Sequence, residues 1–163
     1  MPVHDDRKIF EFLLLETMQA GLSWLTILRK RESFRQAFDN FDPEAIANYD
    51  PGKKELLMGN SGIVRNRLKI EAATNNAKRY LEVQEEFGTF DSYVWGLFGG
   101  KAKKNKWASV SQIPPKSGDS DMLSIELKSR GFKFVGSTIC YSHMQASGLV
   151  NDHVVSCFRY SQV

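Results

Sequence analysis

The chain has 163 residues, enough for one sizeable hydrophobic core, with 42% hydrophobic and 25% charged side chains. Its 22 basic and 19 acidic residues give a net charge of +3, a surplus too small to identify a polyanionic partner by itself. No apolar run approaches the roughly 20 residues of a membrane span, and the N-terminus does not resemble a signal peptide. The sequence therefore excludes a membrane protein and predicts a cytoplasmic one.

The first helix is predicted over residues 6–18, where apolar side chains recur after a capping aspartate. Glu16 falls near its end, close to a strongly apolar face. An unpaired carboxylate is costly to bury, so on the residues alone a solvated glutamate is the commoner explanation.

The segment Ala20–Trp24 interrupts the helical pattern, and a second helix follows it. Leu22 in this break has two interpretations. The commoner one is an ordinary core residue. The other is an apolar side chain on a tight turn that fills the gap left by a base extruded from DNA.

Asp-Pro pairs predict the next two helices, over residues 43–49 and 51–58. Apolar residues at helical spacing then predict one long helix over 63–87 and a shorter aromatic one over 90–98. Residues 101–120, with two adjacent prolines, read as a long connection. No strand pattern is convincing, so we predict an all-α fold of about eight or nine helices in a single domain, residues 1–163.

Residues from about 121 to 148 predict a helix, a tight hairpin and a second helix. Gly131 suits the left-handed position that ends the first helix. If Val135 and Gly136 open the second helix, its free N–H groups suit a phosphate oxygen, with the basic Lys133 beside them. An ordinary helix-helix turn with solvated lysines is the alternative, since glycine pairs at this spacing are common.

Three separated motifs resemble the constitutive 3-methyladenine DNA glycosylase I family of the helix-hairpin-helix superfamily. They are Gln19–Trp24, Gly62–Ile70 and Arg130–Thr138, the last followed by Met144–Ala146 and Val150–Val154. The motifs stand in the family's order and cover almost the whole chain. The resemblance implies a helix-hairpin-helix glycosylase fold and a monomeric enzyme. Its substrate would be double-stranded DNA containing alkylated purines, from which it flips out and hydrolytically releases 3-methyladenine, leaving an abasic site.

The resemblance also implies roles for individual residues. Glu16 matches the family glutamate that hydrogen-bonds the flipped base, and Trp24 matches a tryptophan of the base pocket. Gly21 and Leu22 match the turn that plugs the DNA. The phosphate-binding hairpin is matched by Gly131, Lys133, Val135 and Gly136.

One position separates this chain from many relatives in the wider superfamily. Asn151 stands where they carry a catalytic aspartate, which agrees with the 3-methyladenine branch. The neighbouring Asp152 is interpreted as a helix N-cap. No lysine stands where a lyase of the superfamily would form a Schiff base, so the resemblance implies a monofunctional enzyme.

His153 and Cys157 are four residues apart, which on a helix would place half of a tetrahedral zinc site on one face. The resemblance implies two further ligands, a cysteine and a histidine, in an N-terminal segment that aligns upstream of Met1. Zinc is thus a candidate cofactor with two of its four family ligands present. Because that segment also carries aromatic pocket residues, we expect the sequence to be either a fragment of a longer protein or a degenerate one.

Two other functions fit parts of the sequence. A non-catalytic helix-hairpin-helix module would keep the hairpin and bind DNA, having lost part of the pocket. A helical, zinc-stabilised interaction protein would bind no nucleic acid. Release of free 3-methyladenine from methylated DNA distinguishes the enzyme from both alternatives. Salt-dependent DNA binding distinguishes the DNA-binding module from the interaction protein.

Overall fold

The computed structural model describes residues 2–162 and confirms the all-α class. Eight α-helices occur in this part of the chain, within the predicted number. They are α1 (Asp6–Gln19), α2 (Trp24–Ala37), α3 (Pro43–Ala47), α4 (Pro51–Gly59), α5 (Arg67–Phe87), α6 (Phe90–Leu97), α7 (Gly118–Ser129) and α8 (Ser137–Ser147).

Side-chain caps explain where most of these helices begin. Each of α1 to α7 follows a residue whose side chain accepts a main-chain N–H of the first turn. The helix predicted from residue 63 begins instead at Arg67, because Asn66 caps it and residues 60–66 are not helical. The caps are Asp5, Ser23, Asp42, Asp50, Asn66, Thr89 and Ser117.

Helix α1 lies at the centre of the core, packed against α2, α5, α6 and α8. Most of its side chains after the first turn are buried, on more than one face of the helix. A polar side chain in the second half of α1 is therefore surrounded by protein. The buried apolar residues of α1 are Ile9, Phe10, Leu13, Leu14, Leu15 and Met18.

The long connection between α6 and α7 is tied down by a feature that the sequence did not predict. Two short strands, β1 (Lys103–Lys104) and β2 (Val150–Asn151), pair in parallel, with Lys103 opposite Val150. The pairing joins the connection to the chain just after α8. Nowhere in residues 2–162 does a helix have the length and apolar character required to cross a membrane.

Candidate active site

A pocket of about 400 Å³ opens between α1, α2 and α8. The end of α1 supplies an acid and the first residue of α2 supplies an indole ring, while α8 forms the opposite wall. The fold thus brings together Glu16 and Trp24, which are eight positions apart in sequence. The lining consists of Glu16, Gln19, Trp24, Ser142, Gln145 and Ala146.

Glu16 is buried, with 1% of its surface exposed, so its interpretation as a solvated helix glutamate is wrong. Its position on the central helix α1 explains this, because core surrounds that part of the helix. Burial raises the pKa of Glu16, and the nearby His143 partly opposes the rise. The acid in the pocket therefore holds its proton more tightly than a glutamic acid in water.

His143 on α8 is the nearest ionisable neighbour of this acid. Its Nδ1 atom lies 3.2 Å from Oε2 of Glu16, and both side chains are 1% exposed. The contact is not aligned as a hydrogen bond, and within residues 2–162 neither Oε2 of Glu16 nor the two ring nitrogens of His143 has a hydrogen-bond partner. Buried polar atoms are rarely left in this condition outside functional sites.

The turn before α2 presents an apolar side chain to solvent. Gly21 has φ +79°, a left-handed conformation that glycine adopts without strain. Leu22 is 42% exposed, so its interpretation as an ordinary core residue is wrong. Ser23 then caps α2 and sets Trp24 at its first position. The turn therefore leads directly into the pocket wall.

Lys69 on α5 stabilises this turn through hydrogen bonds to its main chain. The sequence did not predict this role. Its Nζ donates to the carbonyl oxygens of Met18 at 2.8 Å and Ala20 at 2.6 Å. Burial lowers the pKa of Lys69, and carbonyl oxygens at hydrogen-bond distance favour its charged form. The only hint in the sequence was a lysine beside Ile70 on the apolar face of the long helix.

The hairpin between α7 and α8 is built by main-chain geometry. Gly131, with φ +85°, ends the first helix, and the buried side chains of Phe132 and Val135 anchor the hairpin in the core. Gly136 is the N-cap of α8 and, unlike the caps of α1 to α7, offers no side chain to the first turn. A Cβ added to Gly136 would meet nothing within 4 Å, so the main chain is open to approach here.

Two asparagines of α5 hold the hairpin in place, and these too were missed. Asn76 donates to the carbonyl oxygen of Lys133 at 2.9 Å and accepts its N–H at 2.7 Å. Asn75 donates to the carbonyl of Gly131 at 2.9 Å. Because Asn76 already occupies the N–H of Lys133, that residue has only its exposed side chain to offer a ligand.

Asp152 is not a helix N-cap, because the residues after it form turns rather than a helix. Its carboxylate is instead a buried acceptor for donors that converge from the long connection and from α8. Burial acts to raise its pKa, yet the four hydrogen bonds together lower it. Asp152 is therefore a fixed structural anion. Its donors are Asn105, Trp107, Tyr141 and Gln145.

His153 and Cys157 lie close together on these turns, not on the helix that their spacing suggested. Nδ1 of His153 is 3.6 Å from the Cys157 sulfur. Zinc bonds of about 2.3 Å to sulfur and about 2.0 to 2.1 Å to nitrogen at a tetrahedral angle give a spacing of about 3.6 Å, so the pair fits half of a zinc site. Within the described residues no group of three or more potential ligands is arranged to hold a metal ion.

Comparison with known proteins finds one family whose sequence matches extend over nearly the whole chain. The sequence model described as methyladenine glycosylase matches residues 1–160. The chain is 46% identical over 160 residues to DNA-3-methyladenine glycosylase 1 of Escherichia coli strain K12, covering 98% of this chain and 86% of that protein. It is 44% identical over 156 residues to DNA-3-methyladenine glycosylase of Haemophilus influenzae, covering 96% and 84% of the two chains.

A solved structure matches equally well. A variant of 3-methyladenine DNA glycosylase I, crystallised in complex with 3-methyladenine, superposes with a TM-score of 0.94 at 36% sequence identity. The match covers 97% of this chain and 85% of the other. The similarity thus extends over the helices that form both the pocket and the hairpin.

Proposed function

The chain belongs to the methyladenine glycosylase family, and we infer that it is a DNA-3-methyladenine glycosylase, which hydrolyses the bond between the alkylated base and deoxyribose in DNA. One observation in the structure carries this function. A buried acid, Glu16, and an indole ring, Trp24, line a single pocket whose size suits a purine. The enzyme acts in base excision repair and leaves an abasic site.

Access to the pocket requires the nucleotide to leave the DNA stack. We propose that Leu22 enters the gap that the nucleotide vacates, since it is exposed on a turn beside the pocket. Gly21 allows the backbone of this turn to adopt its left-handed conformation. Lys69 stabilises the turn through its hydrogen bonds to the carbonyl oxygens of Met18 and Ala20. An apolar side chain in the gap replaces part of the lost stacking energy.

Recognition of the base rests on its charge. Alkylation at N3 makes the adenine a cation, and the face of an indole attracts a cation while a carboxylate pairs with it. Glu16 therefore favours the alkylated base over normal adenine, and Trp24 stacks on it. A neutral adenine offers no positive charge to the carboxylate, so it gains less from this contact.

The chemical step needs little acid catalysis, because a cationic base is already a good leaving group. Water attacks the sugar carbon, and the bonding electrons leave with the base, which becomes neutral. No lysine is among the side chains that line the pocket in the described chain, which supports a monofunctional hydrolase rather than a lyase.

The hairpin supplies the grip on the DNA backbone. We propose that the first N–H groups of α8, beside Gly136, bind a phosphate oxygen, because the positive end of the helix dipole lies behind them. The side chain of Lys133 adds a positive charge at the same place, while Gly131 and Val135 shape and anchor the turn. Such contacts position the protein without reading sequence.

Three further properties belong to the same proposal. The enzyme acts as a monomer, since one chain supplies the pocket, the turn and the hairpin. It works in the cytoplasm, as expected for a DNA repair enzyme of a bacterial type. His153 and Cys157 hold zinc at most weakly, because two ligands are half of the usual set.

A base-release assay tests the function directly. Duplex DNA carrying radiolabelled 3-methyladenine is incubated with the protein, and free base is separated from the DNA. We expect release of 3-methyladenine that Glu16→Gln abolishes while DNA binding survives. Salt-dependent DNA binding without release from the wild-type chain would assign it instead to the non-catalytic DNA-binding module.

A further inference from the structure

A buried histidine lies directly behind the acid of the pocket. His143 is not among the side chains that line the pocket in the described chain, yet its Nδ1 is 3.2 Å from Oε2 of Glu16. Both side chains are 1% exposed, so solvent screens their interaction little. A carboxylate oxygen and an unprotonated ring nitrogen would repel at this distance. One of the two groups must therefore be protonated.

Because Glu16 meets the cationic base in the proposed function, we propose that His143 is a positioning residue that keeps Glu16 ionised at neutral pH. The imidazole does this by presenting a protonated Nδ1 to the carboxylate. Without that proton, Glu16 would take one from solvent and become a neutral acid. A neutral acid has no charge with which to select a cation.

The electrostatics of the site agree with this role. Burial raises the pKa of Glu16, and both the positive charge and the hydrogen-bonding capacity of His143 oppose the rise. Oε2 of Glu16 and both nitrogens of His143 have no hydrogen-bond partner in residues 2–162. Within the described residues these three atoms therefore have no hydrogen-bond partner that competes with the contact between Glu16 and His143.

Other ionisable groups lie on the helices packed around the pair. Cys140 on α8 has its pKa raised to about 12 by burial and by Glu16, so it stays a neutral thiol, and Lys128 of α7 interacts with that thiol. Lys69 of α5 is bound to carbonyl oxygens. The ion pairs that α2 and α6 form with the N-terminal part of the chain involve Arg31 and Arg35 with Glu11, and Asp91 with His4.

The pH dependence of base release separates this role from a purely structural one. We measure kcat/KM for release of 3-methyladenine from mildly acidic to mildly alkaline pH in the wild type, His143→Phe and His143→Gln. The phenylalanine variant fills the space without a proton donor, and the glutamine variant donates a hydrogen bond but no charge. His4→Gln is the matched control, because His4 is exposed and pairs with Asp91.

The wild type should gain activity as Glu16 ionises and then reach a plateau. In His143→Phe the rise moves to higher pH, and kcat/KM at neutral pH falls below that of the wild type, since the charge that opposes the effect of burial on the pKa of Glu16 is gone. His143→Gln is intermediate, His4→Gln follows the wild type, and all variants converge at alkaline pH. A pH profile unchanged by either His143 substitution, or a loss that alkaline pH does not restore, overturns the inference.

Infrared difference spectroscopy gives a readout that needs no activity. The carbonyl stretch of a protonated carboxyl group, assigned by its disappearance in Glu16→Gln, should be strong in His143→Phe at neutral pH and weak in the wild type. Equal intensity in the two proteins contradicts the role of His143. A wild type without base release at any pH contradicts the proposed function instead, whatever the infrared spectra show.

Discussion

The side chain of Lys69 on α5 binds the carbonyl oxygen of Ala20 at 2.6 Å, 49 residues away in sequence. Together with its bond to Met18, this contact ends α1 and fixes the turn that carries Leu22 and leads to Trp24. One buried ammonium group thus joins the longest helix to both the exposed turn and the pocket.

Lys69→Met should destabilise the fold and impair base release together. The substitution keeps the apolar stem but leaves two buried carbonyls without a donor, a loss of about 1 to 3 kcal/mol in the free energy of unfolding. Thermal unfolding measures the first effect, and base release well below the melting temperature measures the second. Lys78→Met, on the exposed side of α5, is the control. Full activity of a stable Lys69→Met protein would show that the turn does not depend on this lysine.

Glu16→Gln should abolish base release and yet raise the melting temperature at neutral pH. Burial raises the pKa of Glu16 above its ordinary value of 4.5, so the folded state binds this proton more tightly than the unfolded state. The contribution of this group to stability is therefore greatest below pH 4.5 and is lost as pH rises through the raised pKa. The gain in melting temperature should be present at neutral pH and should shrink as the pH falls below the raised pKa.

Glu11→Gln is the matched control on the same helix. Glu11 is also buried, but it is paired with Arg31 at 2.6 Å and Arg35 at 3.4 Å. Its replacement should lower the melting temperature and leave base release unchanged. A melting temperature that falls equally in both variants would contradict the assignment of Glu16 as a strained functional acid.

Leu22→Ala should slow base release by about tenfold or more with little effect on stability. The side chain is 42% exposed in the free protein, so truncation costs the fold little, whereas burial of a leucine in DNA contributes about 1.5 to 3 kcal/mol. Single-turnover base release measures the effect. Leu56→Ala is the control, since Leu56 is 74% exposed on α4. Equal rates for both variants would remove Leu22 from base flipping.

Gly136→Asp should weaken DNA binding by about tenfold or more while the protein stays folded, because the new charge repels a phosphate at the hairpin. Aspartate is a good N-cap, so the stability of α8 should be unchanged or slightly raised. Fluorescence anisotropy with undamaged duplex DNA measures affinity. Gly96→Asp introduces the same charge on α6, where an added Cβ also has open space. Affinity that falls equally in both variants would indicate net charge rather than the hairpin.

Chelator treatment should leave both melting temperature and base release unchanged. His153 and Cys157 are correctly spaced for zinc, but two ligands bind it far more weakly than four. Metal analysis of the purified protein should accordingly find much less than one zinc per chain. Stoichiometric zinc that survives dialysis would show that further ligands complete the site.

The sequence by itself determined the features that depend on neighbouring residues. Capping aspartates at positions 5, 42 and 50 fixed three helix starts, because a cap acts within one turn. Gly131 and Gly136 indicated the hairpin, because the end of one helix and the start of the next also depend on neighbouring residues. Motif resemblance selected Glu16 and Trp24 as pocket residues, although their roles in catalysis stay predictions.

Only the tertiary structure decided which side chains are buried and what they meet. Glu16 is buried although a solvated glutamate was the commoner expectation, and Leu22 is exposed although a core leucine was expected. It also revealed Lys69, Asn76 and His143, whose partners lie about 50 to 130 positions away in sequence. A local pattern specifies the shape of a helix, but the burial and charge of a side chain depend on helices distant in sequence that pack around it.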